Sequence, residues 1–94
     1  MTLLKQNVTI LSKKEVNTER QYLIDLRENK GLSQQDVSKN LKISSQYYSM
    51  IERGERQQKM EITLAVHLSN LFEVPIQNFI DMEQTYQNER QAAG

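Results

Sequence analysis

The sequence predicts an all-α fold of five short helices. The 94 residues contain only one proline and three glycines, a composition typical of a helical protein. Apolar residues recur at intervals of three and four, which is the spacing of one helix face. Capping residues precede several of these runs, and glycines follow two of them. A chain of this length can build one core, so we expect a single small domain.

The first helix is expected to begin near Glu19. Thr18 and Gln21 have the spacing of a capping box, in which two side chains satisfy free backbone N–H groups. Lys30-Gly31 can end this helix, because a cation and a glycine are both favoured at a helix C-terminus. Its inward face comprises Tyr22, Leu23 and Leu26.

The second predicted helix begins after Ser33. Ser33 and Asp36 form another capping-box pattern. Val37 and Leu41 follow one turn apart and therefore share a face.

A two-residue turn and a third helix follow. Lys42-Ile43 makes the turn, Ser44 can cap the next helix, and Gly54 can end it. Tyr48 and Ile51 are spaced to face inward. The two helices form a helix-turn-helix whose second helix exposes small polar side chains. The outward residues are Ser45, Gln46, Ser49, Met50 and Arg53.

These residues resemble the Cro/CI-like (XRE-type) family of phage and bacterial regulators, over residues 26–74. The most specific features are Ile51-Glu52-Arg53-Gly54 and the Gln34 that follows the Ser33 cap. The resemblance implies a five-helix, lambda-repressor-like DNA-binding domain. Three positions depart from the family, which usually has alanine at Ser38, glycine at Lys42 and a small or β-branched aliphatic residue at Tyr48.

Two of these departures carry structural expectations. Lys42 predicts a turn with an altered or strained backbone, because glycine adopts left-handed conformations most easily. Tyr48 requires a roomier pocket or a hydroxyl that reaches solvent.

The fourth helix is predicted over Met60–Phe72. It is apolar on two sides and should therefore be buried on two sides as the floor of the core. Pro75 suits the first turn of a fifth helix. The expected core residues are Leu23, Leu26, Val37, Leu41, Ile43, Ile51, Leu64, Leu68 and Phe72.

Three segments are predicted: an N-terminal extension at 1–17, the helix-turn-helix domain at 18–81 and a polar C-terminal extension at 82–94. The first could be a short strand, a basic arm or a partly disordered terminus. The last could continue the fifth helix for some turns, with Tyr86 as its one large anchor.

The net charge of zero conceals an asymmetry. Residues 1–59 contain 11 Lys/Arg and 7 Asp/Glu, whereas residues 60–94 contain 1 and 5. Attraction to phosphate depends on where positive charge is located, and here it is on the half with the helix-turn-helix.

The resemblance assigns the DNA contacts to the second and third helices and the loop that follows. Expected base contacts are Ser45, Gln46, Tyr47 and Ser49, among which a glutamine can bond adenine N6 and N7 together. No arginine or lysine occupies these positions, so we expect an A·T-leaning preference. Expected phosphate contacts are Gln34, Ser44, Arg53, Arg56 and Lys59.

Two further sets of residues come from the family resemblance. Arg27 is expected to pair with Glu52, although a solvated surface arginine is the alternative. The end of the domain commonly forms the dimer contact in relatives, which implies Ile76, Phe79 and Ile80; Phe79 or Ile80 could instead close the core.

The sequence therefore favours a sequence-specific transcriptional regulator, with a repressor from a phage or other mobile element as the leading hypothesis. It would bind a partly palindromic double-stranded DNA operator as a homodimer. The alternative is an antitoxin or another protein-interaction partner with the same fold. With no cysteine and one histidine, we expect no enzyme activity, metal site or cofactor. The sequence has no membrane-length apolar run or signal-peptide pattern, so a cytoplasmic protein is expected.

Overall fold

The computed structural model describes the backbone of residues 18–93 and the side chains of residues 18–91. This part of the chain is all-helical, which confirms the predicted fold class. Expectations for residues 1–17 lie outside the described residues. The five helices are α1 (Gln21–Asn29), α2 (Gln34–Leu41), α3 (Ser45–Glu52), α4 (Ile62–Leu71) and α5 (Ile76–Ala93).

The predicted start of the first helix is wrong. α1 begins at Gln21 rather than near Glu19, and its N-cap residue, Arg20, makes no side-chain capping bond. Thr18 does not cap the helix, because its hydroxyl donates to the carbonyl oxygen of Arg53 at 3.0 Å. The entry to α1 is therefore held by the far end of α3 rather than by local capping.

The second helix begins as predicted. The Asp36 N–H donates to the Ser33 hydroxyl at 3.0 Å, and the Ser33 N–H donates to the Asp36 carboxylate at 2.9 Å. The hydrogen bond from the Ser33 backbone N–H holds the pKa of the Asp36 carboxyl below its usual range. The capping box thus fixes the start of α2 through both partners.

The turn between α2 and α3 has the strained backbone predicted for it, in which Lys42 stands where the family usually has glycine. Lys42 lies in the left-handed region at φ 60° and ψ 44°. This conformation costs a non-glycine residue about 1–2 kcal/mol. Beyond the turn, the Ser44 hydroxyl caps α3 by accepting the Tyr47 N–H at 3.0 Å.

The core includes most of the predicted residues, but several are covered only in part. The hydroxyl of Tyr48 does not reach solvent: the side chain is fully buried, and the hydroxyl has no hydrogen-bond partner among the described residues. Leu26, Leu41, Ile43 and Leu64 are half-buried. The fully packed cluster comprises Leu23, Val37, Tyr48, Ile51, Ala65, Leu68, Phe72 and Phe79.

The fourth helix is not buried on two sides. Leu68 lies in the core, but Ile62 is 63% exposed and Val66 is 37% exposed. The helix is also shorter than predicted, starting at Ile62 after an N-cap at Glu61. One apolar flank of α4 therefore faces solvent in the monomer.

The fifth helix passes through the predicted domain boundary between residues 81 and 82 without a break. Its second half packs on the domain, because Tyr86 is 7% exposed and donates to the carbonyl oxygen of Thr18 at 2.6 Å. A β-carbon at Gly54 would collide with these two groups, so the glycine is required by space as well as by its φ of +79°. Residues 82–91 thus belong to the same packed unit as α1 to α4.

The fifth helix distinguishes between the two roles left open for Phe79, a dimer contact or a core residue. Phe79 is fully buried and packs edge-on against Tyr22, with the ring centroids 5.5 Å apart. A ring with no exposed surface cannot contact a partner, so Phe79 is a core residue. Ile76 is 39% exposed and Ile80 is half-buried.

The stability lost when an apolar side chain of α4 is truncated should depend strongly on whether that side chain is buried. Leu68→Ala should lower the free energy of unfolding by about 2–5 kcal/mol, because it leaves a cavity in a small core. The matched control Ile62→Ala removes a similar side chain from the surface and should cost less than about 1 kcal/mol. Urea unfolding at two protein concentrations would measure both changes and reveal any contribution from assembly. Equal losses in the two variants would contradict this description of α4.

Candidate nucleic-acid interface

The outward face of α3 presents an exposed carboxamide. Gln46 is exposed, and its carboxamide has no hydrogen-bond partner among residues 18–91. Ser45 and Ser49 are half-buried beside it. The Ser49 hydroxyl accepts an N–H from Arg53 at 3.1 Å, so it is already partly used within the helix. Gln46 is therefore the side chain on this face with the most freedom to contact a ligand.

Tyr47 is held differently from its neighbours. Its ring packs against the hydrophobic core and is half-buried. Its hydroxyl accepts an N–H from the carboxamide of Gln57 at 3.1 Å. Tyr47 therefore has less freedom than the exposed Gln46.

The predicted phosphate contacts fall into two groups. Arg56 and Lys59 are exposed in the loop between α3 and α4, and the Ser44 hydroxyl can still donate while it caps α3. Gln34, by contrast, is half-buried and donates to the carboxylate of Glu52 at 2.8 Å. Its carboxamide is thus oriented by the protein interior.

Arg53 has an acidic partner that the sequence analysis did not consider. Its guanidinium donates to both carboxylate oxygens of Glu55 at 3.1 Å. The hydrogen bond from Arg53 holds the pKa of Glu55 below its usual range. Both side chains are about half exposed, so the pair is screened by solvent and contributes little to stability. It does fix the direction in which the arginine points.

The expected partners Arg27 and Glu52 form an ion pair below this surface. Arg27 donates to the two carboxylate oxygens of Glu52 at 2.6 and 3.2 Å, and the carboxylate is 2% exposed. The bond to Glu52 raises the pKa of Arg27. Because Gln34 donates to the same carboxylate, the ends of α1, α2 and α3 meet at one buried charge.

A second buried cation was missed entirely by the sequence analysis. Arg20 is fully buried, and its guanidinium pairs with Glu83 of α5 at 2.9 and 3.1 Å. It also donates to three carbonyl oxygens: Ile51 at 2.7 Å, Arg56 at 3.3 Å and Gln57. No local pattern could have indicated this role, because Glu83 is 63 residues away.

A comparison with known families gives the same assignment as the geometry. Residues 23–77 match the model of a helix-turn-helix family of the XRE type. The chain belongs to this family. Comparison with curated proteins and with solved structures gave no match.

Membership defines the broad activity of this helix-turn-helix protein. The family consists of DNA-binding transcription regulators and is generally non-enzymatic. The matched residues include α2 and α3 and extend through α4 to the start of α5. Among the described helices, none is long and apolar enough to cross a membrane.

The buried ion pair of Arg27 and Glu52 predicts that removing one charge lowers the free energy of unfolding more than removing both. Arg27→Met should lower the free energy of unfolding by about 3–5 kcal/mol, because it leaves the Glu52 carboxylate buried without its cation. The double variant Arg27→Met/Glu52→Leu should recover most of this loss, since no buried charge remains. Chemical denaturation of the single and double variants measures the coupling. A single variant as stable as the wild type would show that the pair is not needed for stability.

Proposed function

We propose that this protein is a sequence-specific repressor that places α3 in the major groove of a partly palindromic operator. The observation that carries the proposal is the free carboxamide of Gln46 on the exposed face of α3. A glutamine in this position can donate to adenine N7 and accept from adenine N6 at the same time. A regulator of phage or other mobile-element origin, acting in the cytoplasm, fits this family assignment.

The surrounding charges support a position on the phosphate backbone. Arg53 lies at the end of α3, and Arg56 and Lys59 lie in the following loop. The N-termini of α2 and α3 add backbone N–H groups, with Gln34 and Ser44 beside them. These groups would hold α3 in register while Gln46, Ser45 and Ser49 read base edges.

The charge distribution fits the same orientation. Residues 1–59 carry the excess of Lys/Arg, whereas residues 60–94 carry the excess of Asp/Glu. The acidic half would therefore be directed away from DNA, where α4 and α5 are free to contact protein. Occupation of a promoter by such a domain would repress transcription by excluding other proteins from the site.

Assembly as a homodimer follows from the small size of one reading surface. One short recognition helix contacts too few base pairs to be selective in a genome. Two copies about 34 Å apart would read successive turns of one DNA face. The exposed apolar side chains of α4 and α5 offer a surface for this contact, among them Ile62, Val66, Ile76 and Ile80.

The first functional prediction separates base reading from phosphate binding. Gln46→Ala should cost about 1–3 kcal/mol on a preferred operator and little on random duplex, because only base-specific bonds are lost. Arg56→Ala should weaken both duplexes alike and flatten the dependence of log K on log salt by about one unit per subunit. Titrations against both duplexes at several salt concentrations measure these effects.

A control and two adverse outcomes complete this experiment. Asn70→Ala removes an exposed carboxamide from α4 and should leave both affinities unchanged. Equal weakening of operator and random duplex by Gln46→Ala would reject the proposed register of α3. If neither Gln46→Ala nor Arg56→Ala affects DNA binding, the antitoxin or protein-partner function should replace the repressor.

The second functional prediction tests the dimer. Ile76→Glu places a charge on an exposed apolar position of α5 and should convert a dimer to a monomer, with weaker operator binding. Asn78→Glu adds the same charge to an exposed position on another side of the helix and should leave the dimer intact. Sedimentation velocity with and without operator measures both. A wild-type protein that remains monomeric in both conditions would exclude dimeric binding.

A further inference from the structure

Gln57 connects α3 to two other parts of the protein, the start of α4 and the buried Arg20. Its carboxamide nitrogen donates to the Tyr47 hydroxyl at 3.1 Å, and its carboxamide oxygen accepts the backbone N–H of Glu61 at 3.0 Å. Its backbone oxygen accepts from the buried guanidinium of Arg20. Gln57 also lies in the left-handed region at φ 56°, which disfavours side chains other than glycine. These bonds offset that cost and hold the residue in one orientation.

The contact with Gln57 limits what Tyr47 can do. The ring packs against the core, so it cannot turn to lie over a thymine methyl group in the groove. A tyrosine hydroxyl both donates and accepts, and here it accepts from Gln57. Its own hydrogen has no acceptor among residues 18–91. The remaining capacity of Tyr47 is therefore donation to a group outside the protein.

The position of this hydroxyl favours an anionic acceptor. Tyr47 is in the first turn of α3, whose N-terminal dipole attracts negative charge. Gln57 is in the loop that also carries the exposed Arg56 and Lys59. The helix dipole and these two cations attract a phosphate group, so an acceptor that meets the Tyr47 hydroxyl here is expected to be an anion.

We propose that Tyr47 contacts the DNA backbone rather than a base, and that Gln57 is the residue that positions its hydroxyl for this contact. The inference rests on the proposed function, in which α3 enters the major groove. Donation from Gln57 polarises the hydroxyl and strengthens its own donation to phosphate. Holding the side chain before DNA arrives also reduces the entropy lost on binding.

A neutral phosphate contact has a distinct signature. Phosphates carry no sequence information, so the ratio of operator to random-duplex affinity should not depend on it. A neutral donor releases no counterion, so it should not change the salt dependence either. These two properties distinguish Tyr47 from Gln46 and from Arg56.

The first test uses Tyr47→Phe, which removes the hydroxyl and keeps the packed ring. We expect about tenfold weaker binding per subunit to operator and random duplex alike, with the salt slope unchanged. Arg56→Ala, measured beside it, should instead flatten the slope. A loss confined to the operator would overturn the inference, because it would make Tyr47 a base contact.

The second test asks whether Gln57 acts through Tyr47. Gln57→Ala should weaken both duplexes as Tyr47→Phe does, and the double variant should be no weaker than either single variant. Gln58→Ala is the matched control, since Gln58 is exposed and only its backbone oxygen is bonded, by Gln87. A merely structural role of Gln57 would weaken binding further in the Tyr47→Phe background. Additive losses would therefore overturn the positioning role.

The experiment separates failure of this inference from failure of the proposed function. Wild-type protein that selects no preferred sequence from a random duplex library would reject both. If the wild type selects an operator and Gln46→Ala lowers affinity for it specifically, the proposed function stands. Neutral effects of Tyr47→Phe in that case would reject the inference alone.

Discussion

The guanidinium of Arg20 is the interaction on which the arrangement of this domain most depends. It is fully buried, where an unpaired charge would be prohibitive, yet it pairs with Glu83 and donates to carbonyl oxygens of the segment that ends α3 and starts the next loop. Through Glu83, α5 is therefore joined to the segment where α3 ends and the next loop begins. Tyr22 adds to this arrangement by donating to the same Glu83 carboxylate at 2.5 Å, and burial together with that carboxylate raises the pKa of Tyr22.

The buried carboxylate of Glu52 also joins separate helices, nearer the proposed DNA surface. Glu52 accepts from Arg27 and Gln34, which places a carboxylate where α1, α2 and α3 converge. The fully buried Tyr48 lies in the same region, and burial, followed by the Glu52 charge, raises the pKa of its hydroxyl. Directional bonds to a buried carboxylate restrict the angles between helices more tightly than apolar packing can. The ion pairs Arg20–Glu83 and Arg27–Glu52 thus determine the orientation of α3 in the domain.

The remaining surface divides by chemistry. The side of α3 and its following loop carries Gln46, Arg56 and Lys59, whereas α4 exposes Ile62 and Val66 in the acidic half of the chain. Polar and cationic side chains exposed to water can bind an anionic ligand. Exposed isoleucine and valine side chains are instead stabilised when another apolar surface covers them. The two functions proposed for the domain, DNA binding and self-association, therefore use different surfaces.

The sequence by itself determined the features that depend on neighbouring residues. The caps at Ser33 and Ser44, the turn at Lys42 and the five-helix order follow from side chains that act within a few positions of the backbone they satisfy. Spacing also identified most of the core, because helix periodicity records which face is apolar. It could not distinguish Phe79, which is fully buried, from Ile62, which is exposed, since both lie on apolar stripes. Only the tertiary structure decided the roles of Arg20, Glu83 and Gln57, because their partners come from distant segments and no local spacing encodes such contacts.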